Sequence, residues 1–283
     1  MRNHFVPQFL QRPWTDSSGE LQVFRMKSGR FETYRQVPKG NGYLEDMLSL
    51  TRDKVAGMDK HAIEKVVLQS VDNDASKVRD KLEAGQLGVL TIEERSAWVR
   101  FIMSLQLRQP STVLYLRSES EALLRKSLAE QPDEYDAIAM PGAPATLEEW
   151  TEKHFPGAIE NFGLSFFHEL LNDQGIGNKL LRLRWWVWDF SVCRHHLLLA
   201  DCPCTFAGGI DNPNLAVILP ISPTKAFMAT RGELTADALR KADPKLLLGR
   251  LNDASTKQAT ERVFARDASP RRFIENRWPA ATA

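Results

Sequence analysis

The sequence predicts an α+β fold: one mainly antiparallel sheet built from N- and C-terminal strands, with a large helical insertion between them. Three observations predict it. Short runs of strand-like pattern, punctuated by turn residues, occupy the first forty or so positions and return after about position 180. Apolar residues at helical spacing fill the stretch between. Strands and helices do not alternate as βαβ units, which disfavours a doubly wound nucleotide-binding fold. The expected organisation is a single domain over 1–283 with the helical insertion at 43–175.

The elements follow in order. Residues 1–14 are an aromatic lead broken by Pro7 and Pro13, suited to lying against a sheet. Asp16-Ser17-Ser18-Gly19 is a turn. Residues 20–26 and 30–37 are two strands, and Lys27-Ser28-Gly29 joins them as a hairpin. Ile63, Val66, Val67 and Val71 recur at helical spacing, and Val78 and Leu82 extend the pattern to Gly85. Thr91 and Glu94 have the spacing of a capping box, in which hydroxyl and carboxylate satisfy free N–H groups reciprocally. Trp98, Phe101, Ile102 and Leu105 then share a face, and Pro110 is expected to end that helix. Residues 120–128 form another helical piece, 131–144 a loop, and Thr146 starts a new helix with Glu149 three residues on. Gly175 and Gly177 are expected to close the helical region. Strands are expected at 181–188, 196–200, 215–220 and 225–230, then helices at 235–250 and 251–264 divided at Gly249. Phe273 and Ile274 are expected to pack a tail on the body, and Pro279–Ala283 to fray.

Composition limits the function. The 283 residues are 43% hydrophobic and 26% charged, the balance of a soluble globular protein. A chain of this length buries a core without a disulfide or metal staple. Lys+Arg is 37 and Asp+Glu 36, a formal charge of +1. That excludes a histone-like surface and leaves room for a local basic groove. The cysteines, Cys193, Cys202 and Cys204, are too few and too clustered for a secreted disulfide framework. No signal-peptide run follows Met1, and no stretch reaches the ~20 apolar residues of a membrane span. The expected setting is a reducing cytoplasm, with no membrane partner.

Several residues carry possible chemistry. Asp201 ends an apolar run, where a carboxylate must find a cation or backbone N–H groups. It reads either as a site acid, base or ion ligand, or as the side chain of an Asx-turn before Pro203. His4 reads as an imidazole pinned by the aromatic lead and able to move a proton, or as a packed aromatic bonded to a carbonyl. Gln8 orients a substrate or bonds the chain. Arg108, at a helix end, grips an anion with its planar fork or bonds the last helix carbonyls. Zinc is disfavoured: Cys202-Pro203-Cys204 has one intervening residue, and His195 and His196 would point to opposite faces of a strand. Trp185, Trp186 and Trp188 with Arg182 and Arg184 suggest either a base-stacking platform or a covered sheet. Gly208-Gly209 lacks the lysine of a phosphate loop, and Ser222 lacks the nucleophile elbow of a hydrolase.

These segments resemble a known family. His4-Phe5-Val6-Pro7-Gln8-Phe9 resembles the opening of the bacterial and fungal family called domain of unknown function 4238. Phe101-Ile102…Gln106…Arg108…Pro110, Ala200-Asp201-Cys202-Pro203 and Pro220-Ile221-Ser222-Pro223 are similar to its later segments and stand in the same order, with Ala200 where the family has Ser. Asn252 matches an Asn before a C-terminal helix. Glu64 and Asp72 match a central acidic pair, Asp72 replacing Glu. The resemblance implies an architecture and a set of positions, and no reaction.

Together these residues suggest a hydrolase or nuclease acting on a phosphodiester or other anionic substrate. Its polar pocket would lie at strand ends where the N-terminal lead, Asp201 and the Pro220–Pro223 segment converge. His4 and Asp201 would be catalytic; Gln8, Arg108, Ser222 and Asn252 would bind substrate, with no metal ligand among them. The ligand would be a small molecule or a nucleic acid, and no cofactor is identified. The alternative is a non-catalytic accessory protein that holds a nucleic acid or a protein.

Overall fold

The computed structural model describes residues 1–52, 54, 55 and 58–278. Pro279–Ala283, expected to fray, lies outside the described residues. In chain order, β1 (Arg2–His4), α1 (Gln8–Gln11), β2 (Leu21–Lys27), β3 (Arg30–Gln36), β4 (Tyr43–Glu45), β5 (Lys54–Val55) and β6 (Met58–Asp59) lead into the helices. These are α2 (Gln69–Glu83), α3 (Ile92–Leu107), α4 (Pro110–Ala129), α5 (Pro132–Ile138), α6 (Leu147–His154), α7 (Phe162–Ser165), α8 (Phe167–Leu171) and α9 (Gln174–Leu181). Then come β7 (Arg184–Asp189), β8 (Leu199–Ala200), β9 (Thr205–Ala207), β10 (Ala216–Pro220), β11 (Lys225–Thr230), α10 (Glu233–Arg240), α11 (Pro244–Gln258), β12 (Arg262–Ala265) and α12 (Arg271–Glu275).

The fold is α+β with antiparallel sheets. The strands do not form one sheet. They form two four-stranded sheets, ordered β7-β11-β10-β9 and β3-β2-β12-β8, beside the small pairs β1-β4 and β5-β6. β9, β10 and β11 follow one another closely in the chain and pair locally, which removes them from the N-terminal hairpin. Among the described residues, β12 is the late element that pairs with that hairpin, with Val263 opposite Phe24 and Phe264 opposite Val23. β8 then adds to its other edge. Sequence reading placed residues 262–264 inside a helix, so it missed this strand. It also placed the helix break at Gly249. The break falls at Asp243-Pro244, where the Asp243 side chain caps the Leu246 N–H and Pro244 takes the first helical position.

The chain divides into two compact units. One comprises Met1–Asn3, Leu44–Ser70 and Leu107–Asn172. Its core gathers Leu48, Leu50, Ile63, Leu68, Val113, Leu164 and Phe167. Arg117 donates to the carbonyls of Met47 and Ser49, and Asn161 ties Thr51 through backbone and hydroxyl. Gly163 lets α7 lie directly on α4, because a Cβ there would strike the Leu116 carbonyl. Pro110 opens α4 rather than only closing α3: its missing N–H is harmless at a helix start. The loop expected at 131–144 contains α5.

The other unit comprises His4–Tyr43, Val71–Gln106 and Asp173–Ala283, and holds both four-stranded sheets. Ser28 and Gly29 make the hairpin turn with φ of 48° and 74°, the two left-handed residues that match strand twist. Trp98 and Trp185 each meet Phe227 edge-on, with ring centroids 5.6 and 5.1 Å apart. Leu247, Leu248 and Leu251 of α11 pack with Phe190, Leu197, Ala226 and Met228. Phe24, Leu198, Val263 and Ile274 form a second cluster that seats α12. Gly175 and Gly177 do not end the helices. They lie inside α9, which Asp173 caps through the Ile176 N–H.

Candidate functional site

His4 ends β1, half-buried, its ring 5.5 Å from that of Tyr43. Gln8 is half-buried at the first residue of α1. Arg108 follows α3 and is 1% exposed, a buried guanidinium held by interactions of its own. In the same unit as Arg108, Asn3 donates to Glu64 at 3.1 Å and accepts from the Leu48 N–H. Asp72 lies on α2.

Asp201 is 2% exposed. Its carboxylate accepts from the backbone N–H groups of Thr260, Glu261 and Arg262 at 2.8, 2.7 and 2.8 Å. Burial pushes this carboxyl above the usual carboxylate range, opposed by the three amides and the charge of Arg262. The arrangement ties β8 to the turn that feeds β12, and the His4 imidazole is not among Asp201's partners. Ser222 caps the β10–β11 turn, its Oγ accepting from the Lys225 N–H at 3.1 Å. Asn252, on α11, accepts from the Leu198 N–H at 2.9 Å and donates to the His196 carbonyl at 2.8 Å.

That last pair of bonds builds the wall of a cleft of about 230 Å3. The cleft lies between the segment leading into β8, one side of α11, and the turn joining β12 to α12. His195, His196, Lys245, Asn252, Arg266 and Asp267 supply its polar lining, and Phe273 and Leu248 its apolar part. The His-bearing segment is held from three sides. Asn252 grips it from α11, the Leu197 N–H donates to the Pro223 carbonyl at 2.8 Å, and the Trp14 indole donates to the Leu197 carbonyl at 2.8 Å. The aromatic lead is thus pinned beside this wall. Gly249 faces the cleft from mid-helix, and a Cβ there would meet no atom within 4 Å. Its missing side chain leaves the hollow open at a cost of about 1 kcal/mol of helix propensity.

Among the described residues, no carboxylate lies within ion-pairing distance of Lys245 or Arg266, although both are exposed. Asp267 accepts from the Ser269 N–H at 2.8 Å within its own turn. Hydrogen bonding from Ser269, then the charges of His196 and Arg266, hold its carboxyl below the usual range. The cleft therefore offers two exposed cations and two imidazoles against one carboxylate, on which Arg266 and His196 act.

Of the residues singled out from sequence, Asn252 lines this cleft; His4, Gln8, Arg108, Asp201 and Ser222 are not among its lining residues. His195 and His196 both line it, because strand β8 begins only at Leu199 and the two residues are not bound by strand alternation. Lys245 and Arg266 carried no local motif. The available signal was Gly249 inside an apolar helical pattern.

The Trp/Arg strip is covered. Arg95 and Arg240 lie 4.1 and 4.9 Å from the ring centroids of Trp185 and Trp186. Arg184 pairs with Glu233, and Lys179 with Asp211. Burial pushes the Cys202 thiol up to about 11 and raises that of Cys204 further. Among the described residues, no group of three or more His, Cys, Asp or Glu is placed to hold a metal ion, and no helix is long and apolar enough to cross a membrane.

No curated protein and no solved structure matches this chain. One family model, described as a protein of unknown function, matches residues 2–269. Nearly the whole of both units is covered by that match, and the chain belongs to the DUF4238 family.

Proposed function

We propose that the cleft between the β8 lead, α11 and the β12–α12 turn binds an anionic, phosphate-bearing ligand and hydrolyses an ester of it. The observation that carries this reading is the pair of exposed cations, Lys245 and Arg266, lining one hollow with two imidazoles. Arginine suits phosphate through its planar fork of donors, and lysine as a point charge. Imidazole suits proton transfer near neutral pH. In such a reaction His196 takes a proton from the attacking water and His195 gives one to the departing oxygen. Lys245 and Arg266 neutralise charge on the phosphoryl oxygens, the arrangement that stabilises a phosphoryl transition state. Asn252 positions His196 through its carbonyl.

Titration with thymidine 5′-monophosphate tests binding, and release of nitrophenol from bis(p-nitrophenyl) phosphate tests turnover. Lys245→Glu with Arg266→Glu is expected to weaken binding at least about tenfold, the loss of two charge-assisted contacts. His196→Ala is expected to leave binding within a few-fold and remove turnover, since general acid–base catalysis contributes about 100-fold or more. Unchanged binding in the double variant contradicts the reading. A second reading, binding without hydrolysis, is favoured by the exposure of both cations; retained binding with no turnover in the native protein selects it.

A further inference from the structure

Exposure divides the lining of the cleft into a floor and a mouth. Leu197, Leu198, Leu248, Asn252 and Ala265 are buried, whereas His195, Lys245, Arg266 and Asp267 are exposed. The side chains of the floor are therefore apolar apart from Asn252, and the charge stands at the opening. The polar groups that Asn252 and the Leu197 segment bring to the floor are already used. Asn252 accepts from the Leu198 N–H and donates to the His196 carbonyl. The Leu197 N–H donates to the Pro223 carbonyl, and the Leu197 carbonyl accepts from the Trp14 indole. A hydroxyl pressed against this floor would lose water and gain no partner among these groups.

Size narrows the occupant further. The hollow holds about 230 Å3. Benzene occupies an apolar protein cavity of about 150 Å3, so a body of about six carbons fits with room for the inner oxygens of an attached phosphate. Gly249 on α11 gives that body its space: a Cβ there would meet no atom within 4 Å, so a longer side chain would grow into the hollow. Small-molecule sites usually join an apolar lining to a few placed polar groups. Here those groups are the cations at the mouth, where Asp267 sets one negative charge against Lys245, Arg266 and the two imidazoles.

Resting on the anion-binding reading above, we infer that the ligand is a phosphate ester of a compact apolar alcohol or phenol, its organic body seated on the floor and its phosphate held at the mouth by Lys245 and Arg266. Sugar phosphates fail at the floor, where their hydroxyls find no partner. Thymidine 5′-monophosphate is held by its phosphate alone, because its nucleoside is polar and far larger than benzene. Gly249 is then the residue that sets how large a body enters.

Calorimetric titration of the full chain with phenyl phosphate, cyclohexyl phosphate, glycerol 3-phosphate and inorganic phosphate tests this. The first two distinguish an aryl from an alkyl body. At least one of them is expected to bind about tenfold or more tightly than glycerol 3-phosphate and inorganic phosphate, because burying a six-carbon apolar body adds affinity that a polyol or a bare anion lacks. Gly249→Leu is expected to remove that advantage while leaving inorganic phosphate binding nearly unchanged. The melting temperature should not fall, since leucine is a better helix former than glycine. Gly249→Ala, a smaller change in the same direction, should reduce the advantage partway and guards against misfolding of the leucine variant. Equal affinity for the apolar esters and inorganic phosphate overturns the inference and leaves the anion-binding reading standing. Tighter binding of glycerol 3-phosphate, or an advantage that survives both glycine changes, does the same. Absence of binding to all four compounds removes both readings together.

Discussion

A carboxylate with three backbone N–H donors and almost no solvent is committed to holding backbone. Asp201 does so for Thr260, Glu261 and Arg262, and thereby fixes the edge at which β8 meets β12. Asn252 does the equivalent from α11, with acceptor and donor both used. The two residues were read from sequence as possible chemistry; the geometry shows what each touches, and only Asn252 also borders the hollow. Asp201→Asn replaces one acceptor by an NH2 group facing an amide donor. It is expected to lower stability by about 2–3 kcal/mol, the range for a buried hydrogen-bonding group left unmatched. Asn252→Ala strands the Leu198 N–H and His196 carbonyl and is expected to cost a similar amount. Equilibrium denaturation checks both, and a loss below about 0.5 kcal/mol, the level of an ordinary surface change, contradicts these roles.

Elements with local chemistry were legible. The hairpin was marked by Ser28-Gly29, and the structure pairs Lys27 with Arg30 across it. The capping box at Thr91 is present in both directions, with the Glu94 N–H donating to the hydroxyl at 3.2 Å and the Thr91 N–H to the carboxylate at 3.0 Å. α6 starts at the Thr146 cap that the spacing with Glu149 indicated. What local pattern lacks is partner identity. Arg262–Ala265 is four residues long, too short for periodicity to separate strand from helix. Its strand character comes from pairing with β2, more than two hundred positions earlier. The cleft depends on that strand, because β12 delivers Arg266 and Asp267 to the rim. A reading that kept 251–264 helical had no route to it. The histidines were visible but were judged by strand alternation, and the segment bearing them is held by Trp14, Pro223 and Asn252 without entering a ladder.

Across the whole molecule, charge is nearly balanced in number but not in placement. Surface carboxylates are held below their ordinary pKa by named donors: Asp16 first by the Ser18 hydroxyl, Glu94 first by Lys81, Asp211 first by Lys179, Asp267 first by Ser269. Each is depressed on folding, so each contributes stability that is present above the unfolded value near pH 4 and is lost as pH falls through the folded value. Asp201 runs the other way, because burial raises it. The depressed groups predominate, so the melting temperature is expected to fall as pH drops from about 5 to 3. A melting temperature that rises or stays level over that interval contradicts this linkage. Arg266 adds a smaller share to the depression of Asp267, and Lys245 acts on none of these four carboxylates.

Mapping of backbone amide shifts during titration with thymidine 5′-monophosphate tests the central claim most directly. The account predicts saturable shifts concentrated at residues 194–198, 245–252 and 265–273, abolished in the Lys245→Glu, Arg266→Glu double variant. Shifts clustered elsewhere, or the same shifts persisting in that variant, would contradict it.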